Sequence, residues 1–247
     1  MKIIAHRGAS GEFPENSLLA FEQAIQQKAD GIELDVHFHD QSQQFIVLHD
    51  IYLDKTTNGQ GHYNLYSIAK LTQLSLGQNQ KLLTLSQALA RIAGRILVNI
   101  EIKTAISDIS IINTQLHVLQ SNITEAIKDH SFSSSLFVIS SFNHHLLFLS
   151  SKILPNIATA ALIAHNPIEH AKLAESLQCS AINPAIDCLD QALVIDAHQK
   201  GLEVWVYTVD RIEDIEFCQQ LNVDGIFTNF PKKLHEHFNN SKAREAF

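Results

Sequence analysis

Nothing in this chain is suited to binding nucleic acid, spanning a membrane or being stapled by disulfides. The net charge is −8, and no run of Lys and Arg forms a basic patch, which a phosphate-backbone partner needs. No apolar run approaches the ~20 residues of a membrane span. The Ile3-Ile4-Ala5 stretch near the N-terminus reads as a strand and is too short for a signal peptide. There are only three cysteines, Cys179, Cys188 and Cys218, with no CxxC and no Cys/His metal spacing. They read as free thiols of a reducing compartment, and the expected location is the cytoplasm. Five prolines and nine glycines in 247 residues form no linker, so a single domain over 1–247 is expected. The polar end, 239–247, is expected to fray. A small anionic substrate remains open, because it needs only local positive charge.

What is present is alternation. Short β-branched runs lie at Lys2–His6, Gly31–His37, Phe45–His49, Ile96–Ile102, Leu136–Ser141, Ala158–Ile163, Ser180–Asn183, Glu203–Val209 and Asp224–Thr228. Helical patterns lie at Ser17–Gln27, Thr84–Ile92, Ser110–Lys128, Pro167–Leu177, Asp190–Gln199, Ile212–Leu221 and Pro231–Phe238. Strand then helix at this spacing implies parallel strands with right-handed crossovers. The link from His37 to Gln44 is too short for such a crossover, which takes a dozen or more residues. Phe45–His49 is therefore expected to return antiparallel on the end of the second strand. Eight parallel strands remain, the content of a (β/α)8 TIM barrel, a fold of ~250 residues. The segment 50–81 carries turn chemistry at Asn58-Gly59 and Gly61 and is read as a small insertion above the barrel.

Residues two apart in a strand share a face. Ile32, Leu34, Val36 and Phe38 form an outward apolar set, which turns Glu33, Asp35, His37 and His39 inward. Asn99, Glu101 and Lys103 are inward by the same rule. Three inward carboxylates, Glu33, Asp35 and Glu101, repel one another unless a cation sits among them. All-oxygen ligation selects a hard ion, Mg²⁺ or Ca²⁺, with Mn²⁺ of the same class. His6 and His49 each end an apolar run and are candidate general base and general acid. Arg7 offers a fork for phosphate oxygens, and Lys103 is expected at the same site. Phe142, Trp205 and Tyr207 are candidate walls of a substrate pocket, with core packing the competing reading. Glu15-Asn16 lies on the loop after Gly8, where Asn16 or Ser17 could simply cap the first helix.

The ordered motifs are His6-Arg7-Gly8, Pro14-Glu15-Asn16-Ser17, Ile32-Glu33-Leu34-Asp35-Val36, Val47-Leu48-His49-Asp50, Leu53 with Thr56-Thr57 and Gly59, Thr84-Leu85, Asn99-Ile100-Glu101-Ile102-Lys103, Ser141-Phe142, Val206-Tyr207-Thr208-Val209 and Asp224-Gly225-Ile226-Phe227-Thr228. Together they resemble the glycerophosphodiester phosphodiesterase family across nearly the whole chain. The resemblance implies a phospholipase-C-like TIM barrel, a divalent metal, and hydrolysis of a small glycerophosphodiester to glycerol 3-phosphate and an alcohol. It implies His6 and His49 as the catalytic pair, Glu33, Asp35 and Glu101 as metal ligands, and Arg7 and Lys103 on the phosphate. The chain departs from the family pattern at the hairpin turn His39-Asp40-Gln41-Ser42, at Leu83 in place of Pro, and at Asn229 in place of Asp.

Two rivals stand beside this reading. His37-Phe38-His39 could hold Zn²⁺ for amide or ester hydrolysis, although further His ligands at later strand ends are lacking. A catalytically inactive barrel used as a binding module is the other, and the intact acid–base and carboxylate set opposes it.

Overall fold

The computed structural model describes residues 1–245. In chain order its strands are β1 (Lys2–Ala5), β2 (Gly31–His39), β3 (Gln44–Val47), β4 (Ser75–Gly77), β5 (Gln80–Lys81), β6 (Leu83–Thr84), β7 (Leu97–Ile102), β8 (Phe137–Ser141), β9 (Ala158–Ile163), β10 (Ala181–Pro184), β11 (Glu203–Val206) and β12 (Gly225–Thr228). The helices are α1 (Leu18–Gln26), α2 (Ile68–Leu71), α3 (Leu85–Ile92), α4 (Ile109–Asp129), α5 (His144–Ile153), α6 (Lys172–Ser176), α7 (Gln191–Gln199), α8 (Ile212–Gln220) and α9 (Pro231–Glu245). Parallel pairing runs β1-β2-β7-β8-β9-β10-β11-β12 and returns to β1, which closes an eight-stranded barrel with helices between its strands. This is the expected (β/α)8 architecture. The surplus run pairs antiparallel, Val36 opposite Val47 and His39 opposite Gln44, as the short link requires. Helix α9 covers the tail expected to fray as far as Glu245, and Ala246 and Phe247 lie outside the described residues.

The pleat sorts side chains into two cores. Ile32, Leu34, Val36, Val98, Ile100, Ile102, Val204 and Ile226 point outward against the helices. Ile4, Val138, Ala160, Ala181, Trp205 and Phe227 fill the barrel interior, large residues beside small ones. In α4, Ile112, Leu116, Leu119, Ile123 and Ala126 recur every three or four residues and form its buried stripe. Asp108 caps the same helix by accepting from Ser110 N and Ile111 N. A third cluster, Ile46, Leu48, Leu53, Tyr63, Leu71 and Leu82, ties the insertion to the hairpin.

Helices α5 and α6 of the barrel differ from the sequence reading. Helix α6 is short because His170 sits at φ 44, which interrupts any continuous helix from Pro167. Helix α5 had no periodic signal, since its apolar residues run together as Leu146-Leu147-Phe148-Leu149. Its detectable mark was the cap, Asn143 Oδ1 accepting from Leu146 N. Cys179 and Cys218 are buried, Cys188 is half-buried, and all three are free thiols. Among the described residues no helix is long and apolar enough to cross a membrane.

Candidate active site

The strand ends converge as the alternation requires. Register places Glu33 opposite Asn99 and Asp35 opposite Glu101 on neighbouring strands. One carboxylate oxygen from each of Glu33, Asp35 and Glu101 falls in a cluster whose members all lie within 4.8 Å of one another, and all three residues are buried. Two cations lie against them. Lys103 Nζ is 2.6 Å from Glu101 Oε1 and 3.2 Å from Asp35 Oδ1, and Arg7 Nε is 3.2 Å from Asp35 Oδ2. Two fixed positive charges against three carboxylates leave a net negative site. The imbalance shows in the acids. Burial, then Asp35 and Glu101, hold the Glu33 carboxyl well above its usual range. Burial and Asp35 push Glu101 up to about 7. Burial also acts against the charged form of Asp35, but Lys103 and Arg7 outweigh it and hold that carboxyl low. Glu33 Oε1 is buried without any hydrogen-bond partner. An orphaned oxygen beside two further carboxylates suits a hard divalent cation, so the residues present fit the metal their chemistry implies.

Local backbone holds these groups. Arg7 has φ 56 and Gly8 φ 80, and a Cβ on Gly8 would stand 2.6 Å from the Ala20 carbonyl carbon. Only glycine tolerates that approach, so the chain turns sharply there and aims Arg7 N at Glu33 Oε2, 2.8 Å away. Arg7 is also paired with Glu15 at 3.1 Å. Asn16 is not the helix cap. Ser17 Oγ caps α1 by accepting from Ala20 N, while Asn16 Nδ2 donates to Asp35 Oδ2 at 2.9 Å and Asn16 Oδ1 accepts from Asp35 N. Both residues of the Glu15-Asn16 pair therefore hold site residues in place.

His49 follows the hairpin strand, and Leu48 N bonds Asp35 O at 3.0 Å. His49 Nδ1 is 3.4 Å from Asp50 Oδ1, and its backbone carbonyl accepts from His37 Nε2 at 2.8 Å. His37 thus positions His49. His39 Nε2 donates to Tyr66 O and its Nδ1 faces Ser42 Oγ, so both ring nitrogens are engaged. The zinc reading of His37 and His39 fails on this point, and among the described residues the acidic trio is the one group suited to a metal. Trp205 faces inward as expected but does not reach the carboxylates. It is 3 % exposed in the interior core, donates from Nε1 to Glu203 Oε2, and lies under Lys2 at the opposite end of the strands. Core packing is its role. Phe142 is exposed and meets half-buried Tyr207 edge-on at 6.0 Å, and the Tyr207 hydroxyl donates to Ile163 O. A cleft of about 250 Å³ opens beside Lys103, lined among others by His37, Tyr63, Ile106 and Gln115.

His6 directly follows β1, and its N bonds Thr228 O across the seam of the barrel. Burial, then Arg7, lowers its pKa to about 4, against the pull of Asp35, Asn229 and Asp210. The unfolded chain, with an imidazole near 6.5, binds more protons than the fold between those two values. The stability this group allows is whole above pH 6.5 and is lost as pH falls toward 4, by ~2 kcal/mol once the ring's partial exposure is allowed for. Denaturant titrations at pH 7 and pH 4.5 check this: the wild type should lose ~2 kcal/mol more than His6→Gln, and equal losses would contradict it.

The comparisons with known proteins agree with this geometry. The chain matches the Glycerophosphoryl diester phosphodiesterase family over residues 6–233. It is 32 % identical over 240 residues to a glycerophosphodiester phosphodiesterase of Caldanaerobacter subterraneus, covering 94 % of this chain and 95 % of that one. A glycerophosphodiester phosphodiesterase of Bacillus altitudinis is 30 % identical over 246 residues, covering 94 % and 96 %. An Oleispira antarctica phosphodiesterase, solved in complex with the product sn-glycerol-3-phosphate, superposes with a TM-score of 0.86 at 26 % identity over 97 % of each chain. With the fold, the acidic trio and matches across its length in agreement, this chain belongs to the glycerophosphoryl diester phosphodiesterase family, phosphoric diester hydrolases built on a (β/α)8 barrel.

Proposed function

We propose that the protein hydrolyses glycerophosphodiesters to glycerol 3-phosphate and an alcohol, with Glu33, Asp35 and Glu101 holding a divalent cation and His6 and His49 moving the protons. The observation that carries this reading is the buried carboxylate trio, left with an unpartnered Glu33 oxygen and bordered by Arg7 and Lys103. When bound, the cation, Mg²⁺, Ca²⁺ or Mn²⁺, supplies positive charge against the phosphoryl oxygens. Arg7 and Lys103 add to that field and orient the phosphate between the two histidines. One imidazole takes the proton of the attacking hydroxyl, from water or from the substrate's own glycerol. The other gives a proton to the departing alcohol oxygen. Burial keeps His6 neutral, as a proton acceptor must be, while at His49 Asp35 and Asp50 pull against burial toward the protonated form that a donor needs. Phe142 and Tyr207 stand at the rim as an aromatic edge. The free thiols support the cytoplasm as its place of action.

Phosphorus NMR of glycerophosphocholine incubated with the protein and Mg²⁺ or Ca²⁺ tests the reaction. The expected product is glycerol 3-phosphate. Phosphocholine, or unchanged substrate under both ions, would refute it.

A further inference from the structure

We propose that Asn229, backed by Asp210, is a positioning residue that fixes the His6 proton on Nδ1 and so makes His6 the base of the reaction and His49 the acid. Three contacts settle how the Asn229 amide is turned. Its Nδ2 lies 2.5 Å from Asp210 Oδ2, and its backbone N donates to Asp210 Oδ1 at 2.8 Å. Thr228 Oγ1 donates to the same Oδ1 at 2.9 Å, which anchors the carboxylate from a second residue. A carboxylate only accepts, so the amide end facing Asp210 is the NH₂. The other end, Oδ1, is then the atom 2.8 Å from His6 Nδ1. An amide oxygen only accepts, so that ring nitrogen carries the hydrogen and the lone pair of the neutral ring is left on Nε2. Ser10 Oγ, 2.7 Å from both Asn229 Oδ1 and His6 O, closes the group around the turn.

A neutral imidazole with a free Nε2 can take a proton and has none to give there. The attacking hydroxyl therefore loses its proton to His6 Nε2 as its oxygen bonds phosphorus. The bond from phosphorus to the alcohol oxygen breaks, its electron pair stays on that oxygen, and a proton from the His49 imidazolium completes the alcohol and leaves that ring neutral. Net transfer from His49 to His6 is reversed through solvent before the next cycle.

An amide at 229 orients the ring without a full negative charge against it. The charged groups facing His6 are Arg7 from its own turn, Asp35 from β2 and Asp210 behind the amide, and burial and Arg7 prevail. The base stays unprotonated well below neutrality.

This inference rests on the reading of His6 as an acid–base residue, so its first test does not use activity. Nitrogen-15 NMR of histidine-labelled wild-type protein, as a pH titration, reads the tautomer directly. A protonated Nδ1 and bare Nε2 on neutral His6 is expected, and the reverse tautomer overturns the proposal. In the assay, Asn229→Leu keeps the bulk and removes the acceptor. It should lower kcat about 10²-fold while KM stays within about threefold. An Asn229→Leu protein with wild-type kcat overturns it. Denaturant melts of the variant separate a lost fold from a lost orientation.

Discussion

Replacing either His6 or His49 by Ala should reduce kcat about 10³-fold or more on glycerophosphocholine, with KM changed far less. The reason is the position of each ring. His6 sits over the closing seam of the barrel, held by Asn229, and His49 sits over the hairpin, held by Asp50 and by His37. In the proposed reaction each moves a different proton, so neither can stand in for the other. A single general acid or base contributes about 10²–10⁴-fold. The double variant should be little worse than the poorer single variant, because groups acting in one step lose their effect together. Steady-state kinetics on the three purified proteins checks this. A single variant retaining a tenth of the wild-type rate would contradict the assignment.

The second large effect concerns Glu33. Glu33→Gln should lower activity by about 10²-fold or more while leaving the metal-free protein as stable as the wild type, or more so. These two results are opposed on purpose. Glu33 is buried, pressed by Asp35 and Glu101, and keeps Oε1 without a partner. Its one hydrogen bond comes from Arg7 N, and an amide oxygen accepts that bond as well. Removing the charge thus relieves repulsion among the acids and, on the proposed reading, takes away a ligand of the cation. A carboxylate kept for folding would behave the other way, with stability falling and activity following only through unfolding. Thermal melts in chelator, set beside kcat in Mg²⁺, separate the two outcomes. Asp35 is a poorer target, because Arg7 and Lys103 both lose their partner when it changes.

Much of the fold was legible because each signal was local. Alternation along Ile32–Phe38 told inside from outside, and the short link from His37 to Gln44 forced the hairpin. The convergence of Glu33, Asp35 and Glu101 followed from the same period of two on adjacent strands. Helix α5 and the shortness of α6 were not legible. The run Leu146–Leu149 carries no helical period, and the break at His170 is a backbone angle with no residue signature. In the site, the supporting contacts were the hidden part. That His37 would hold the His49 carbonyl, Asn16 the Asp35 carboxylate and Asp210 the Asn229 amide depends on side-chain directions across 12, 19 and 19 residues of chain. Trp205 shows the complementary error. An inward-facing residue on a late strand reads as a pocket wall until its height in the barrel is known, and Lys2 and Glu203 place it at the far end.

The account turns on one buried trio of acids taking up one hard cation. Equilibrium dialysis of the metal-free protein against Mn²⁺, read by electron paramagnetic resonance, measures that uptake without reference to catalysis. One ion per chain should bind in the wild type, be displaced by Mg²⁺ or Ca²⁺, and be lost or greatly weakened in Glu33→Gln. A wild-type protein that binds no Mn²⁺, or a Glu33→Gln protein that binds it just as tightly, would contradict the account.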